Sequence, residues 1–414
     1  MMTRNENRDL KQTPLYIRRC ALRVIVLLTT LFFIAIMLQC AGQQGPLRER
    51  LLSSDERTKR AAFKEFDSLN PAAKRPYQYL EIMTSMLHDA DLNNQVLAAD
   101  ALGHMGPAAE DAVPDLVQLL SVSNETVRSH AGKALEDLGV VAVPSLILAL
   151  KQPEPAVRVA AADTLGNIGP AAKEAIPDLA TLLGDEDREV SRHAAPALGR
   201  IGPAAVPELI EVARWRSRYT TDMASTAFAD LKADAATVRE LVRLMGNVKE
   251  DPAVRAFAAT ALGHMPEKAQ GEMPELIRVL GDENNDVRTA ARWALGQTGP
   301  KGIPALREAL KNDNSRILSG AAFALGSMGP AAEAAVPDLL RVMKNDDRTV
   351  RIDAILAIGK TQVTSDAVVR ALIQVLDTDK DEVVRLDAVR VLSKMETSEA
   401  EEAVNKFNKI NVPQ

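Results

Sequence analysis

Apolar residues recur along this chain at helical spacing, in blocks that resemble one another. In "VRVAAADTLGNIGPAAKEAIPDLATLL", Val157 to Leu183, a first segment places Val, Ala and Leu on one face at the 3.6-residue period, and its alanines let a neighbouring helix approach closely. A Gly-Pro pair stops it, and a second, shorter apolar-periodic segment comes next. The same order returns in "ADALGHMGPAAEDAVPDLVQLL" and "AAFALGSMGPAAEAAVPDLLRVMKNDD". Aligned on the leucine of "ALG", the anchors are Leu102, Leu135, Leu165, Leu198, Leu231, Leu262, Leu295, Leu325, Ile358 and Leu392, spaced 33, 30, 33, 33, 31, 33, 30, 33 and 34 residues apart. Self-similarity at a fixed period of this length predicts an array that grows in one direction, each unit burying its apolar face on the next.

The recurring polar positions predict the turns. Glycine of the Gly-Pro pair, as at Gly169, can take positive φ at the helix end, and Pro170 forbids continuation. The later prolines (Pro114, Pro144, Pro177, Pro207, Pro274, Pro304, Pro337) belong in the first turn of the second helix, where a missing N–H is no loss. Acidic runs such as "GDEDREV" supply N-caps for the next first helix. An arginine stands seven residues before many anchors (Arg128, Arg158, Arg255, Arg288, Arg351, Arg385). Stacked along the array, these arginines form either an internal ladder with acids of the turns or a basic stripe offered to a partner.

The segment "DREVSRHAAPALGRIGPAAVPELI" and its siblings resemble HEAT repeats, specifically the short variety of phycobilisome lyases. The resemblance runs from about Ser54 to Ile410. It implies an all-α solenoid of about eleven helix pairs, used mainly for protein–protein contact, with tetrapyrrole (bilin) lyases or isomerases as a minority alternative. It also implies that second helices line the concave face. Their non-core positions there are Asp115 and Gln118, Asp178 and Thr181, Glu208 and Glu211, Glu275 and Arg278, Asp338 and Arg341, then Gln374: a polar surface, acidic in its first half and mixed in its second, suited to a basic or polar protein. The stretch 55–89 lacks the "ALG" signature and "TSEAEEAVNKFNKI" is amphipathic; both fit end caps.

Composition narrows the function. Apolar residues are 46% and aromatics only 3%, so packing rests on Ala, Leu, Val and Ile. The net charge is -6. Arg4, Arg8, Lys11, Arg18, Arg19 and Arg23 against Glu6 and Asp9 leave -10 for the remainder. An acidic body without a basic block lacks the means to neutralise phosphates, so no nucleic acid is expected as partner. Both cysteines, Cys20 and Cys40, fall in the leader, leaving the repeats without a disulfide or thiol nucleophile.

Residues 1–42 form that leader. A run of fifteen residues, Val24 to Leu38, apolar apart from Thr29 and Thr30, comes after a basic cluster, which fits an export signal and falls short of the roughly 20 that span a bilayer comfortably. Three readings stay open: a lipoprotein signal with Cys40 acylated, an uncleaved signal anchor, and cleavage after "CAG". In each, the membrane is touched only by the N-terminal segment, and the repeats lie on the extracytoplasmic side, as in a bacterial periplasm. Beyond the leader the chain is read as a linker over 43–53 and a repeat domain over 54–414.

Catalytic chemistry is sparse. The five histidines are dispersed over different repeats, and the carboxylates recur with the period, as helix-dipole partners do. No Gly-rich phosphate loop or nucleophile elbow occurs, and no cofactor, metal or catalytic residue is assigned. The expected function is a membrane-tethered, exported, non-enzymatic scaffold for a protein of unknown identity. One irregular stretch stands out. The repeat after Leu198 has the short Gly202–Pro207 turn yet a spacing of 33, which predicts three residues added within "ARWRSRYTTDMAS". That stretch gathers Arg214, Trp215, Arg216, Arg218 and Tyr219, either a plug between two irregular repeats or a partner-contact site.

Overall fold

The computed structural model describes residues 47–69, 77–215 and 217–411; the leader with Cys40, and Arg216, lie outside the described residues. Those described are helical, without a β-strand. They form eleven helix pairs in an all-α repeat array. By contacts the chain divides into two compact units, up to Leu116 and from Val117 onward.

In the first unit, helices Glu56–Ser68, Tyr77–Leu87 and Leu92–Met105 pack around Phe66 and Tyr79, whose rings meet edge-on at 5.5 Å. Lys59 is buried here and bonds Asn94 Oδ1 at 2.8 Å. The expected linker is partly ordered structure instead: residues 47–51 are helical, and Leu47 and Leu51 are buried.

The second unit carries the regular repeat. Helix Arg188–Ile201 is typical. Its N-cap Asp187 accepts from the Glu189 N–H, and it ends at Gly202 with φ +99°. Gly106, Gly139, Gly169, Gly299 and Gly329 also have positive φ, and Gln362 stands in the same place at φ +62°. From the glycine the chain enters a 3-10 helix of seven residues, as in Gly169–Ala175, or four, as in Gly139–Ala142. That difference is the origin of the 33- and 30-residue spacings. The second helices are short, seven residues in Ile176–Leu182 and Val336–Val342, with proline in the first turn.

Measured from the caps, the register differs from the leucine alignment at one place. N-cap and anchor are eleven residues apart in every other repeat, for example Asp187 and Leu198, or Asp251 and Leu262. From the cap Ser217 the same interval ends on Phe228, not Leu231. Phe228 is fully buried and meets Phe257 edge-on at 5.8 Å. The interval from Leu198 is therefore 30, as its short turn requires, and no residues have been added. Helix Val206–Trp215 is instead ten residues long, because it runs on through what is elsewhere the turn. The sequence offers no Gly, Asn, Asp or Pro there to stop it before Ser217. The extra length falls in the next repeat, where helix Ala235–Gly246 has twelve residues and its own Asp234 cap. Helix Asp366–Thr378 repeats that arrangement near the C-terminus.

First helices pack unevenly. Three couples approach far more closely than their neighbours: Pro155–Ile168 with Arg188–Ile201, Pro252–Gly263 with Asn285–Gln297, and Ser315–Ser327 with Arg348–Thr361. The glycine of "ALG" permits this at the three places. A Cβ on Gly166, Gly263 or Gly326 would stand 2.8 to 2.9 Å from the Cα of Ala197, Ala294 or Ala357, inside van der Waals contact.

Candidate partner-contact site

The arginines before the anchors are an internal ladder. Arg158 donates through Nε and Nη2 to both oxygens of Asp185 in the following turn, at 2.9 and 2.7 Å, and through Nη1 to the carbonyls of Gln152 and Pro153. Arg255 with Asp282 (2.6 Å) and Arg351 with Asp379 (2.8 and 3.0 Å) repeat the contact, with side chains only 7 to 8% exposed. Asp185 also accepts the Asp187 N–H and so shapes its own turn. Arg128 and Arg288 keep the carbonyl half of the arrangement; the residues at the acid's place are Gln152 and Asn312. Arg158, Arg255 and Arg351 thus join one turn to the next, while Arg128, Arg288 and Arg385 brace the turn before their own helix.

The second-helix candidates are also engaged within the chain. Asp178 pairs with Lys151 (2.9 Å) and Asp338 with Arg307 (2.7 Å), each from the preceding repeat. Arg278 holds Glu275 at 2.5 Å and donates to the Gly246 carbonyl; the guanidinium keeps the Glu275 carboxyl below its ordinary range. Arg341 donates to the Leu310 carbonyl. Glu208 is half-buried, Glu211 exposed. The surface that the sequence suggested for a partner thus serves at least in part as ties between successive second helices.

The irregular stretch is organised differently. Trp215 is 80% exposed at the end of the lengthened helix, so it plugs no gap. Its indole N–H donates to Glu211 at 3.0 Å. Arg214 beside it is fixed to Glu250 at 2.9 Å, and Val248, in the same turn as Glu250, is 72% exposed. Tyr219 is 40% exposed with Arg188 over its ring. Arg218 faces the other way, toward Asp286 two repeats on, at 3.6 Å.

Models of HEAT repeats match residues 80–146, 143–224, 206–296, 238–326 and 303–393. The chain belongs to the HEAT-repeat family. No curated protein matches it. Among solved structures it is similar to Kap121p, at 13% identity and a TM-score of 0.41, covering 91% of this chain and 47% of that one. It is also similar to Kap95p from a structure with RanGDP, at 14% identity and a TM-score of 0.36, covering 88% and 56%. A TOG-domain array of a microtubule polymerase is similar at 12% identity and a TM-score of 0.32, covering 84% and 100%. The chain spans about half the length of the Kap121p chain.

Within the HEAT array three histidines pair with aspartates: His88 with Asp115 (3.0 Å), His104 with Asp67 (2.8 Å) and His193 with Asp163 (2.8 Å). His264 stacks on Trp293 at 4.8 Å, and burial pushes its pKa down. Among the described residues no three His, Cys, Asp or Glu are grouped to hold a metal, and no helix is long and apolar enough to cross a membrane. One feature escapes the sequence pattern, a groove over helix Pro252–Gly263. Its only signal is the small residues Ala253, Ala256 and Thr260 at successive outward positions.

Proposed function

We propose that this HEAT-repeat chain is an exported, membrane-tethered scaffold that holds a protein partner at Trp215, with no catalytic role. The observation that carries the reading is the exposure of Trp215. The chain has two tryptophans in all, and Trp215 stands almost wholly in solvent next to Arg214. Tryptophan, tyrosine and arginine are the residue types concentrated in binding hot spots. The scaffold is preferred to a tetrapyrrole lyase because export would carry the repeats away from the cytoplasm, where bilin attachment would take place. Export and tethering rest on the leader's sequence, in which Cys40 is the acylation candidate.

Co-purification from detergent-solubilised membranes with mass spectrometry tests the contact. Trp215→Ala, and separately Arg216→Glu, should keep the helical circular-dichroism signal and melting temperature while losing the partner. Early melting with the partner retained would overturn the reading. A fatty-acid probe should label the wild type and not Cys40→Ser; an unlabelled wild type would favour the signal anchor.

A further inference from the structure

A groove of 400 Å³ lies along the outward side of helix Pro252–Gly263, between helices Arg218–Thr226 and Asn285–Gln297. It exists for two reasons. Helix Arg218–Thr226 has nine residues, fewer than the other first helices, and packs loosely on its successor. The floor is also cut low, because Ala253, Ala256 and Thr260 stand where neighbouring helices carry larger side chains such as Tyr219, Asp222 and Trp293. From Ala253 to Thr260 the floor runs about 10 Å at 1.5 Å per residue, the length of two helical turns.

The mouth is acidic. Asp222 is exposed on one wall, and Asp286 on the other is held by Arg218 only at 3.6 Å, with both of those side chains more than half exposed. Two carboxylates thus face one guanidinium that a competing cation can displace at small cost. Trp293 lines the same groove, offering apolar area and a ring face that attracts a cation. Outside the leader the chain carries a charge of -10, which steers basic partners toward it.

We propose that this groove takes a short segment of a protein partner in which an aliphatic or aromatic side chain adjoins a lysine or arginine. The apolar side chain lies on the alanine floor, and the cation sits between Asp222 and Asp286, replacing Arg218 on the latter. An anionic membrane surface is a poor occupant, since the carboxylates would repel it. This inference rests on the reading of the chain as a protein-binding scaffold but uses a different patch from Trp215.

The test is selection of a random peptide library displayed on phage against the whole repeat body. Recovered sequences should combine Leu, Phe or Met with Lys or Arg. Their binding should weaken about tenfold or more, the size of one hot-spot contact, in Ala256→Leu, which fills the floor, and in Asp222→Lys, which reverses the mouth. In a Trp215→Phe background Trp293 is the sole tryptophan, and its emission should shift saturably with a synthetic peptide of the recovered sequence. Acidic recovered sequences, or binders indifferent to both substitutions while circular dichroism stays native, would overturn the inference. Loss of a co-purified partner in Trp215→Ala but not in Ala256→Leu would sink this groove and leave the Trp215 contact standing.

Discussion

Asp282 and Asp338 are both paired with arginine, yet they do different things. Asp282 meets Arg255 with both side chains 7% exposed, whereas the Arg307 side chain that meets Asp338 is 44% exposed. Removing one partner of a buried pair strands the other charge and costs about 3 to 5 kcal/mol, against about 1 kcal/mol or less at the surface. Urea unfolding should therefore separate Asp282→Ala from Asp338→Ala by at least about 2 kcal/mol; equal losses would mean that water reaches Arg255. His264 supplies a pH test. Burial lowers its pKa in the folded state, so the native chain holds the neutral ring while the unfolded chain takes a proton at about 6.5. The stability it contributes is complete above that value and is lost as pH falls through it toward the lower folded pKa. Unfolding at about pH 8 and about pH 5 should show wild type losing more stability on acidification than His264→Gln. A parallel loss in the two would mean that the imidazole stays solvated. Neither role is legible in the sequence. The recurrence of arginine is visible there, but whether it faces a turn or a partner depends on which neighbouring turn reaches it.

At the scale of elements, close packing of first helices rests on single hydrogen atoms. Gly326→Ala would push a methyl to 2.9 Å from the Ala357 Cα and 3.1 Å from its Cβ, a clash with backbone that costs about 1 to 3 kcal/mol. Gly132, inside helix Glu125–Leu138, would meet only the Thr164 hydroxyl at 3.4 Å. Gly132→Ala should instead gain up to about 1 kcal/mol from helix propensity. Thermal denaturation of the two variants checks the opposite signs. These elements are mostly readable: period, cap, glycine and proline each leave a residue at a fixed offset. The register slip at Phe228 shows the limit. A phenylalanine takes the anchor position while Leu231, three residues on and also buried, offers the expected letter. The lengthened helix before it is equally hidden, since its mark is the absence of a stop signal. The groove over helix Pro252–Gly263 is hidden in the same way, as missing bulk rather than a motif.

For the molecule as a whole, the uneven spacing of first helices has a mechanical consequence. In the unit from Val117 onward, the three couples bring one first helix against the Cα of the next through a glycine, while the junctions between couples are looser. A chain pulled from its ends should yield first at the looser junctions. Extension should then include three two-repeat steps of about 63 residues, roughly 220 Å of contour length each, among single-repeat steps from the uncoupled repeats. Optical-tweezers records of the repeat body would show the double step. Placing alanine at Gly166, Gly263 and Gly326 together should halve it, turning a material that ruptures by doublets into one that unravels evenly.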